Sequence, residues 1–404
     1  MKHRFSIKLA ALLLAILLVV GVVPMALFSA FAADSIKPGY YTAALKINTQ
    51  PKDLTYLVGV DEVPALDGLN VTLSYKTFSK TIDYGSTSDG SFSNKDGYGY
   101  VYLAEGAYEW GVGANTTYVC VEYNSNDGKY TYTAKAEVTV TGVSVLTKFD
   151  LKKVTALKDG VATKVSVKAN AKAEQLPLLA FTPAKDGYYS FLSSNIKSGD
   201  PYAVLLDAKG NVLRVNDDRV LYVLPEGTDV DAVFTSDYYY DSYEGYSYSF
   251  DGLDFGVSAE LKAGQTYYLL ASDVGDSAAS YSVTVAPSTF TVAKELKTTY
   301  HKAVSLDSLV QNSTYDVLFI DTSALSNGWI EYGQFIGSDR GTATITLKTP
   351  DGKQSETVKA KVDYDFGQWL AVIFLGGWAW LDRTDYDYGY DYGYDYGYNN
   401  YFID

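Results

Sequence analysis

The chain has 404 residues and a formal net charge of −15 at pH 7, with 38 tyrosines and 34 glycines against two methionines. Tyrosine, valine and threonine favour strands and glycine favours tight turns, so the composition predicts an all-β protein. A chain this acidic is repelled by nucleic acid and by anionic lipid, which excludes nucleic acid as a partner and leaves neutral, cationic or calcium-bridged partners.

Residues 1–32 have the pattern of a secretory signal peptide. Three cations precede an apolar run from Leu9 to Val23, and Ala30-Phe31-Ala32 supplies the small residues that a signal peptidase needs. An uncleaved membrane anchor is the competing interpretation, because the apolar character continues to Ala33. Cleavage removes three cations and no acids, which takes the net charge from −15 to −18. We therefore expect a secreted or cell-surface protein.

Cysteine and histidine are so scarce that several kinds of site are excluded. Cys120 is the only cysteine, and His301 is the only histidine beyond the predicted signal peptide. Histidine-rich zinc sites, zinc-thiolate clusters and an intramolecular disulfide are therefore ruled out. The sequence has no nucleophile elbow, phosphate loop or H-E-x-x-H motif, so we expect no enzymatic activity. A glycosidase needs only two carboxylates, so a secreted hydrolase with an unrecognised carboxylate site remains an alternative.

Residues 33–144 form the first predicted β-sandwich. The alternation of Val71, Leu73 and Tyr75 marks a half-buried strand. With Pro51-Lys52, Tyr56-Leu57-Val58-Gly59 and Asp67-Gly68-Leu69-Asn70-Val71-Thr72, this stretch resembles the bacterial immunoglobulin-like domains of surface proteins. The resemblance fades across Asp83 to Tyr100, a Gly- and Ser-rich segment that we expect to be a long loop or hairpin.

Residues 145–287 form the second predicted β-sandwich. It contains a turn feeding an alternating strand, a hairpin that turns on Lys209-Gly210, and two later strands. These segments are Phe181 to Phe191, Ala203 to Leu213, Leu261 to Leu270 and Tyr281 to Val285. In this order they resemble the bacterial pre-peptidase C-terminal domain, a small β-sandwich appended to secreted enzymes and surface proteins. The resemblance implies an accessory module, in some members calcium-binding or substrate-binding, and not a catalytic unit.

Two features of the second domain are candidate binding sites. Asn216, Asp217 and Asp218 offer hard oxygen ligands close together, which suits calcium, and a solvated turn is the alternative. A tyrosine-rich insertion could give rigid contact area for a ligand, and a hairpin packed on its own sandwich is the alternative. Its candidate ligand-contact residues are Tyr238, Tyr239, Tyr240, Tyr243, Tyr246 and Tyr248. Calcium is the only cofactor that the sequence suggests.

Residues 288–365 form the third predicted domain. The strand and tight turn of Gly341 to Lys353 lead into a closing strand, Val358 to Val362. This hairpin resembles the last hairpin of bacterial immunoglobulin-like domains, which implies a third β-sandwich.

The apolar segment 366–381 follows directly, with Trp369, Trp378 and Trp380 near its two ends as membrane or assembly contacts. As a helix it would reach about 24 Å, short of the roughly 30 Å hydrocarbon core. We expect a half-embedded or partner-buried segment. A true membrane span and a segment folded back on the last domain are the alternatives.

The tail 382–404 is of low complexity and contains Asp, Tyr and Gly. Tyrosine occupies every even position from Tyr386 to Tyr398. An extended chain would place these rings on one face, but Asp and Gly are poor strand formers, so we expect a disordered tail.

Together these features predict a non-catalytic secreted or surface protein that contacts a polymeric ligand, either glycan or protein, through its β-sandwiches and tyrosine-rich surfaces. A structural envelope component, with the C-terminus as an assembly element, is a further alternative beside a secreted hydrolase. The two resemblances imply a bacterial source.

Overall fold

The computed structural model describes residues 37–60, 64–84, 90–93, 95–104, 110–228, 246–249 (backbone only), 254–275, 277–331 and 333–374. Strands dominate these residues, and the strands pair into several sheets that form multiple β domains. The prediction of an all-β fold is confirmed.

The first domain is a two-layer sandwich. Its strands are β1 (Gly39–Thr42), β2 (Ala44–Thr49), β3 (Thr55–Val58), β4 (Asn70–Tyr75), β5 (Phe78–Asp83), β6 (Ser91–Ser93), β7 (Gly97–Leu103), β8 (Gly113–Ser125) and β9 (Tyr130–Ser144). The larger sheet has the order β1-β9-β8-β7-β6, with β3 also paired to β9, and the smaller has the order β2-β4-β5. Alternate residues such as Leu73 in one sheet and Val119 in the other meet in a single core.

The next eleven strands are β10 (Thr155–Ala156), β11 (Thr163–Val167), β12 (Leu178–Phe181), β13 (Gly187–Ser198), β14 (Pro201–Leu206), β15 (Val212–Asn216), β16 (Val220–Pro225), β17 (Tyr246–Ser249), β18 (Gly256–Leu261), β19 (Tyr267–Asp273) and β20 (Ala279–Pro287). Nine of them form the second domain, as sheets of order β10-β12-β19-β14-β15 and β11-β20-β13-β18. Val145 and Leu146, which follow β9 directly, already belong to the core between these sheets.

The last nine strands are β21 (Phe290–Val292), β22 (Glu295–Thr299), β23 (Ala303–Ser305), β24 (Val310–Ser313), β25 (Val317–Asp321), β26 (Gly328–Glu331), β27 (Gln334–Gly337), β28 (Gly341–Lys348) and β29 (Ser355–Asp363), and helix α1 (Phe366–Phe374) follows them. The main sheet of the third domain has the order β17-β16-β25-β28-β29-β22, with smaller sheets β21-β24 and β23-β27-β26. In β28, Ala343, Ile345 and Leu347 are buried and the threonines between them lie outward.

Strands β16 and β17 cross from the second domain into the third. Both lie within residues 145–287, yet β16 runs parallel to β25, with Tyr222 opposite Val317 and Leu224 opposite Phe319. Leu221 and Val223 are buried in the core of the third domain. The chain then returns to the second domain at β18. The predicted boundary at 287/288 therefore does not separate the two sheets, because a strand from before it completes the sheet after it.

Polar and aromatic contacts also join the second domain to the third. The backbone N–H of Ser258 donates to Asp316 at 2.9 Å, and the Ser258 hydroxyl donates to the other oxygen of that carboxylate. The ring centroids of Tyr188 and Tyr315 are 5.6 Å apart. Burial raises the pKa of Asp316, and its hydrogen bonds with Ser258 oppose this shift. Because a buried carboxylate needs its hydrogen-bond donors, the bonds from Ser258 of the second domain to Asp316 of the third fix how the two domains are placed at this junction.

The first and second domains also pack together. Leu57 of β3 contacts the core of the second domain, and Val212 of β15 contacts the cluster around Tyr56 and Trp110 in the first. The side-chain oxygen of Asn211 accepts the backbone N–H of Val112 at 2.8 Å. Consecutive domains are therefore joined by apolar and hydrogen-bonded contacts and not by the covalent chain alone.

We predict that the second and third domains unfold as one unit, because β16 follows β15 of the second domain directly and is buried in the core of the third. Replacing the fully buried Leu221 by alanine should lower the free energy of unfolding by about 3 kcal/mol, as for other large-to-small core changes. Hydrogen exchange followed by mass spectrometry should then show faster exchange in β13 and β19 of the second domain as well as in β25 and β28.

The matched control is Leu73→Ala, since Leu73 is equally buried in the first domain. It should accelerate exchange in β4 and β8 and leave the third domain unchanged. Faster exchange in Leu221→Ala that stays within the third domain would contradict a shared unfolding unit.

Candidate binding face of the first domain

The larger sheet of the first domain has a solvent-facing side that carries a row of tyrosines. In β7, Gly97, Gly99 and Val101 face the core, whereas Tyr98 and Tyr100 are 47% and 38% exposed. Side chains two residues apart lie on the same side of a strand, roughly 7 Å from one another. Tyr98 and Tyr100 therefore present two neighbouring phenol rings on one side of a sheet. We call this side the tyrosine face.

A polar row on β8 lies beside the tyrosines. Asn124 is the register partner of Tyr98, and Glu122 is the partner of Tyr100. The Asn124 amide donates to Glu122 Oε1 at 2.9 Å, and the Thr131 hydroxyl on β9 donates to Asn124 Oδ1 at 2.7 Å. These three side chains hold one another in position, so the rings have fixed hydrogen-bonding groups next to them.

Tyr102 follows Tyr98 and Tyr100 on the same side of β7, but its hydroxyl group is not accessible. The Tyr102 hydroxyl is buried and has no hydrogen-bond partner among the described residues. Burial raises the pKa of Tyr102, and nearby Cys120 and Glu122 add to the shift, so the phenol stays neutral at physiological pH. On the next strands the Lys135 ammonium lies 4.4 Å from the centre of the Tyr118 ring. Within β7, the accessible rings are thus those of Tyr98 and Tyr100.

Glycine at 97 and 99 explains why the tyrosines point outward. A Cβ atom at Gly99 would collide with the carbonyl of Glu122, and one at Gly97 would collide with the Tyr123 ring. That ring fills the inner side of the sheet, where it is 2% exposed. A shift of register by one residue would force tyrosine into this space, so the Gly-Tyr alternation fixes which side the rings occupy.

Sequence reasoning missed this face. It places Asp83 to Tyr100 in a long loop or hairpin without locating the strands, and β6 and β7 form such a hairpin, with Ser91 opposite Tyr100 and Ser93 opposite Tyr98. The signal was the spacing of Tyr98, Tyr100 and Tyr102, each separated by one small or aliphatic residue. Such a period of two is typical of a strand with one aromatic side.

The predicted ligand-contact tyrosines of the second domain are only partly described. Tyr238, Tyr239, Tyr240 and Tyr243 lie outside the described residues. The backbone of Tyr246 and Tyr248 belongs to β17, opposite Val223 and Leu221 of β16. These two residues therefore lie on the edge strand of the third domain's main sheet, and their role in ligand contact stays a prediction.

The predicted calcium ligands lie together at the end of β15. The side-chain oxygens of Asn216 and Asp217 each accept the backbone N–H of Asp218 at 2.9 Å, and the Asn216 amide donates to the carbonyl of Gly256 at 3.0 Å. Within the described part of the chain, no three His, Cys, Asp or Glu side chains are grouped so that they could hold a metal ion. Calcium at this turn stays a prediction.

Asp200 is a further acid near this turn. Burial raises its pKa, and the charges of Asp218, Asp217 and Asp273 raise it further. One of its carboxylate oxygens is buried without a hydrogen-bond partner in the described structure. The pKa of Asp218 is raised as well, by burial and by Asp217. Ionised Asp200 is therefore less stable in the folded protein than in the unfolded chain.

Helix α1 begins with a capping box. Asp365 Oδ1 accepts the backbone N–H of Gln368 at 2.9 Å, and Gln368 Oε1 accepts the backbone N–H of Asp365 at 3.0 Å. The Gln368 amide also donates to the carbonyl of Tyr300 at 2.8 Å. One buried glutamine therefore both starts the helix and attaches it to the third domain.

Trp369, a predicted membrane or assembly contact, packs on the third domain. Its ring lies edge-on to Tyr364, with centroids 5.4 Å apart, and 4.5 Å from the guanidinium of Arg340. The start of the apolar segment thus folds back on the last domain, as one of the alternatives above describes. Trp378 and Trp380 lie outside the described residues. No helix in the described ranges has the length and apolar character needed to cross a bilayer.

Comparisons with known proteins give distant structural likenesses only. No protein family matches the sequence, and no curated protein matches it. The pre-peptidase C-terminal domain of a Bacillus anthracis collagenase aligns with 12% identity over 33% of this chain and 94% of that domain, with a TM-score of 0.22.

Two structures of ZmpB from Clostridium perfringens align over more of the chain. The M60 catalytic domain with domains CBM51-1 and CBM51-2 gives 11% identity, a TM-score of 0.15, and coverage of 74% of this chain and 33% of that one. The CBM51-2 domain in complex with GlcNAc, together with INT domains, gives 9% identity, a TM-score of 0.15, and coverage of 62% and 48%. The chain thus spans between a third and a half of these two structures, and TM-scores this low establish no family.

We predict that Asp200→Asn stabilises the protein at neutral pH. The folded pKa of Asp200 lies above its ordinary value, so its ionisation opposes folding above that pKa, and this cost disappears as the pH falls through it. In the presence of EDTA at pH 7, the variant should melt about 2 °C higher than the wild type in calorimetry.

The difference should shrink on acidification and vanish below about pH 4, where the carboxyl is protonated in both states. Asp159→Asn, at an exposed acid of the same domain, is the control and should leave the melting temperature unchanged at both pH values. A lower melting temperature for Asp200→Asn at pH 7 would show that the ionised carboxylate stabilises the fold.

Proposed function

We propose that the protein is a non-catalytic secreted or cell-surface binding protein that holds a neutral glycan polymer on the tyrosine face of its first domain. The observation behind this proposal is the pair of exposed rings of Tyr98 and Tyr100 beside the hydrogen-bonded row of Thr131, Asn124 and Glu122.

Sugar rings have apolar faces edged by hydroxyl groups. A flat aromatic ring can cover the apolar face while neighbouring amide and carboxylate groups bond the hydroxyls, which is the usual composition of a specific binding surface. Tyrosine does this at low entropic cost, because it has only two side-chain torsions. The two rings follow the strand direction, so they suit successive units of an extended polymer better than a single small ligand.

The charge of the protein supports a neutral ligand over an acidic one. The chain carries a net charge of −15, and the tyrosine face carries Glu122 on β8 together with Lys135 and Glu137 on β9. A polyanion would be repelled by such a surface, whereas neutral or amino-sugar polymers would not.

The test is retention of the mature chain, residues 33–404, on insoluble peptidoglycan, chitin, mucin and collagen. We predict retention on at least one glycan polymer and at least a tenfold weaker apparent affinity for Tyr98→Ala/Tyr100→Ala, as expected when two aromatic contact residues are truncated. Both rings are exposed, so the double variant should keep the wild-type melting temperature.

Val161→Ala is the control, because Val161 is an exposed apolar residue of the second domain and should not affect retention. Undiminished binding by the tyrosine variant would refute the proposed face. Binding to collagen alone would assign a protein ligand instead. Indifference to all four polymers, together with self-assembly that is lost when residues 366–404 are deleted, would support the structural envelope role.

A further inference from the structure

Helix α1 leaves a bulky apolar stripe in solvent. Phe366, Leu370, Ile373 and Phe374 are 80%, 40%, 64% and 74% exposed. Their spacing of four, three and one residues places them on one side of an α-helix. Nothing else in the described structure exposes as many large apolar side chains within nine residues. Water contact with this much apolar surface is unfavourable, which calls for a partner that covers it.

The opposite side of the helix is already engaged. Gln368 and Ala371 are buried against the third domain, and Trp369 lies between Tyr364 and Arg340. The capping box and the bond from Gln368 to the carbonyl of Tyr300 fix the rotation of the helix about its axis. The stripe therefore cannot turn inward without breaking these contacts, so its exposure is a consequence of how the helix is attached.

We propose that this stripe docks on the surface of a lipid bilayer, and that it places the third domain against the membrane by partial insertion and not by spanning it. The nine described residues of the helix span about 13 Å, and their four exposed side chains offer far less than the roughly 800 Å² per partner that a stable dimer buries. A bilayer needs no matching partner surface, and each apolar side chain that enters the interface adds to binding.

The sequence around the helix fits the lipid interface. No charged residue occurs between Asp365 and Asp382, and Trp378 and Trp380, with an amphipathic ring typical of the headgroup depth, fall in this interval. The acids at both ends disfavour a strongly anionic surface. Arg340, the cation that contacts Trp369, is paired with Asp363 at 2.9 Å. The headgroups that suit this site are therefore zwitterionic, and the docking is apolar in origin and not electrostatic.

Vesicle flotation with the mature chain tests this inference. Wild-type protein should float with phosphatidylcholine vesicles, and Phe366→Ser/Ile373→Ser/Phe374→Ser should lower the partition coefficient at least tenfold. Val161→Ser, which removes an exposed apolar side chain from the second domain, should float like the wild type. With phosphatidylglycerol vesicles, binding should be weaker at low salt and should recover as salt screens the repulsion.

The replaced residues are exposed, so an unchanged melting temperature shows that the triple variant is folded. A wild-type protein that does not float, or a triple variant that floats equally well, would overturn the proposal. So would a concentration-dependent dimer in sedimentation experiments that the triple variant abolishes, since the stripe would then face a second copy. The tyrosine face is distant in sequence and separately tested, so neither result decides the proposed glycan binding.

Discussion

The pairing of β16 with β25 is the constraint on which the arrangement of the second and third domains depends. Strand β16 comes directly after β15 of the second domain but does not join that domain's sheets. It lies parallel to β25 of the third domain and buries Leu221 and Val223 in that domain's core. Parallel pairing needs a long crossover, and here the crossover contains β18–β20 of the second domain and β21–β24 of the third. This pairing ties the second domain to the third, and the hydrogen bond from Ser258 to Asp316 fixes their relative position.

Tight packing inside the first domain determines what its outer side can present. Tyr123 and Tyr132 fill the inner side of the sheet together with Phe78 and Phe92, whose rings contact them at centroid distances of 4.0 to 6.1 Å. This leaves no room for side chains at Gly97 and Gly99, and the intervening tyrosines face water. Aromatic residues of this sheet thus form the core on its inner side, with Tyr123 and Tyr132, and a candidate ligand surface on its outer side, with Tyr98 and Tyr100.

The C-terminal helix shows the opposite arrangement, with polar groups inside and apolar groups outside. A buried glutamine, a cation over a tryptophan ring and a capping box attach it to the third domain, and Phe366, Leu370, Ile373 and Phe374 remain in solvent. A short helix attached only by its apolar side would have no such stripe. The proposed glycan contact and the proposed lipid contact therefore belong to different domains, linked by packed junctions.

Much of the architecture followed from the sequence, because strand signals are local. The alternation of Val71, Leu73 and Tyr75, the hairpin at Lys209-Gly210 and the alternating strand at Gly341 to Lys348 all correspond to observed strands. Alternation reports which residues of one strand are buried, and that depends on the pleat alone.

Tertiary structure decided the rest. Strand alternation carries no information about which sheet a strand joins, so the sequence could not predict that β16 joins the sheet of the third domain. The outward direction of Tyr98 and Tyr100 depends on Tyr123, some twenty residues away, and the exposed stripe of α1 depends on Tyr300, Arg340 and Tyr364. Composition and local spacing thus determined the class of fold, while non-local contacts determined which aromatic and apolar side chains are left at the surface to bind.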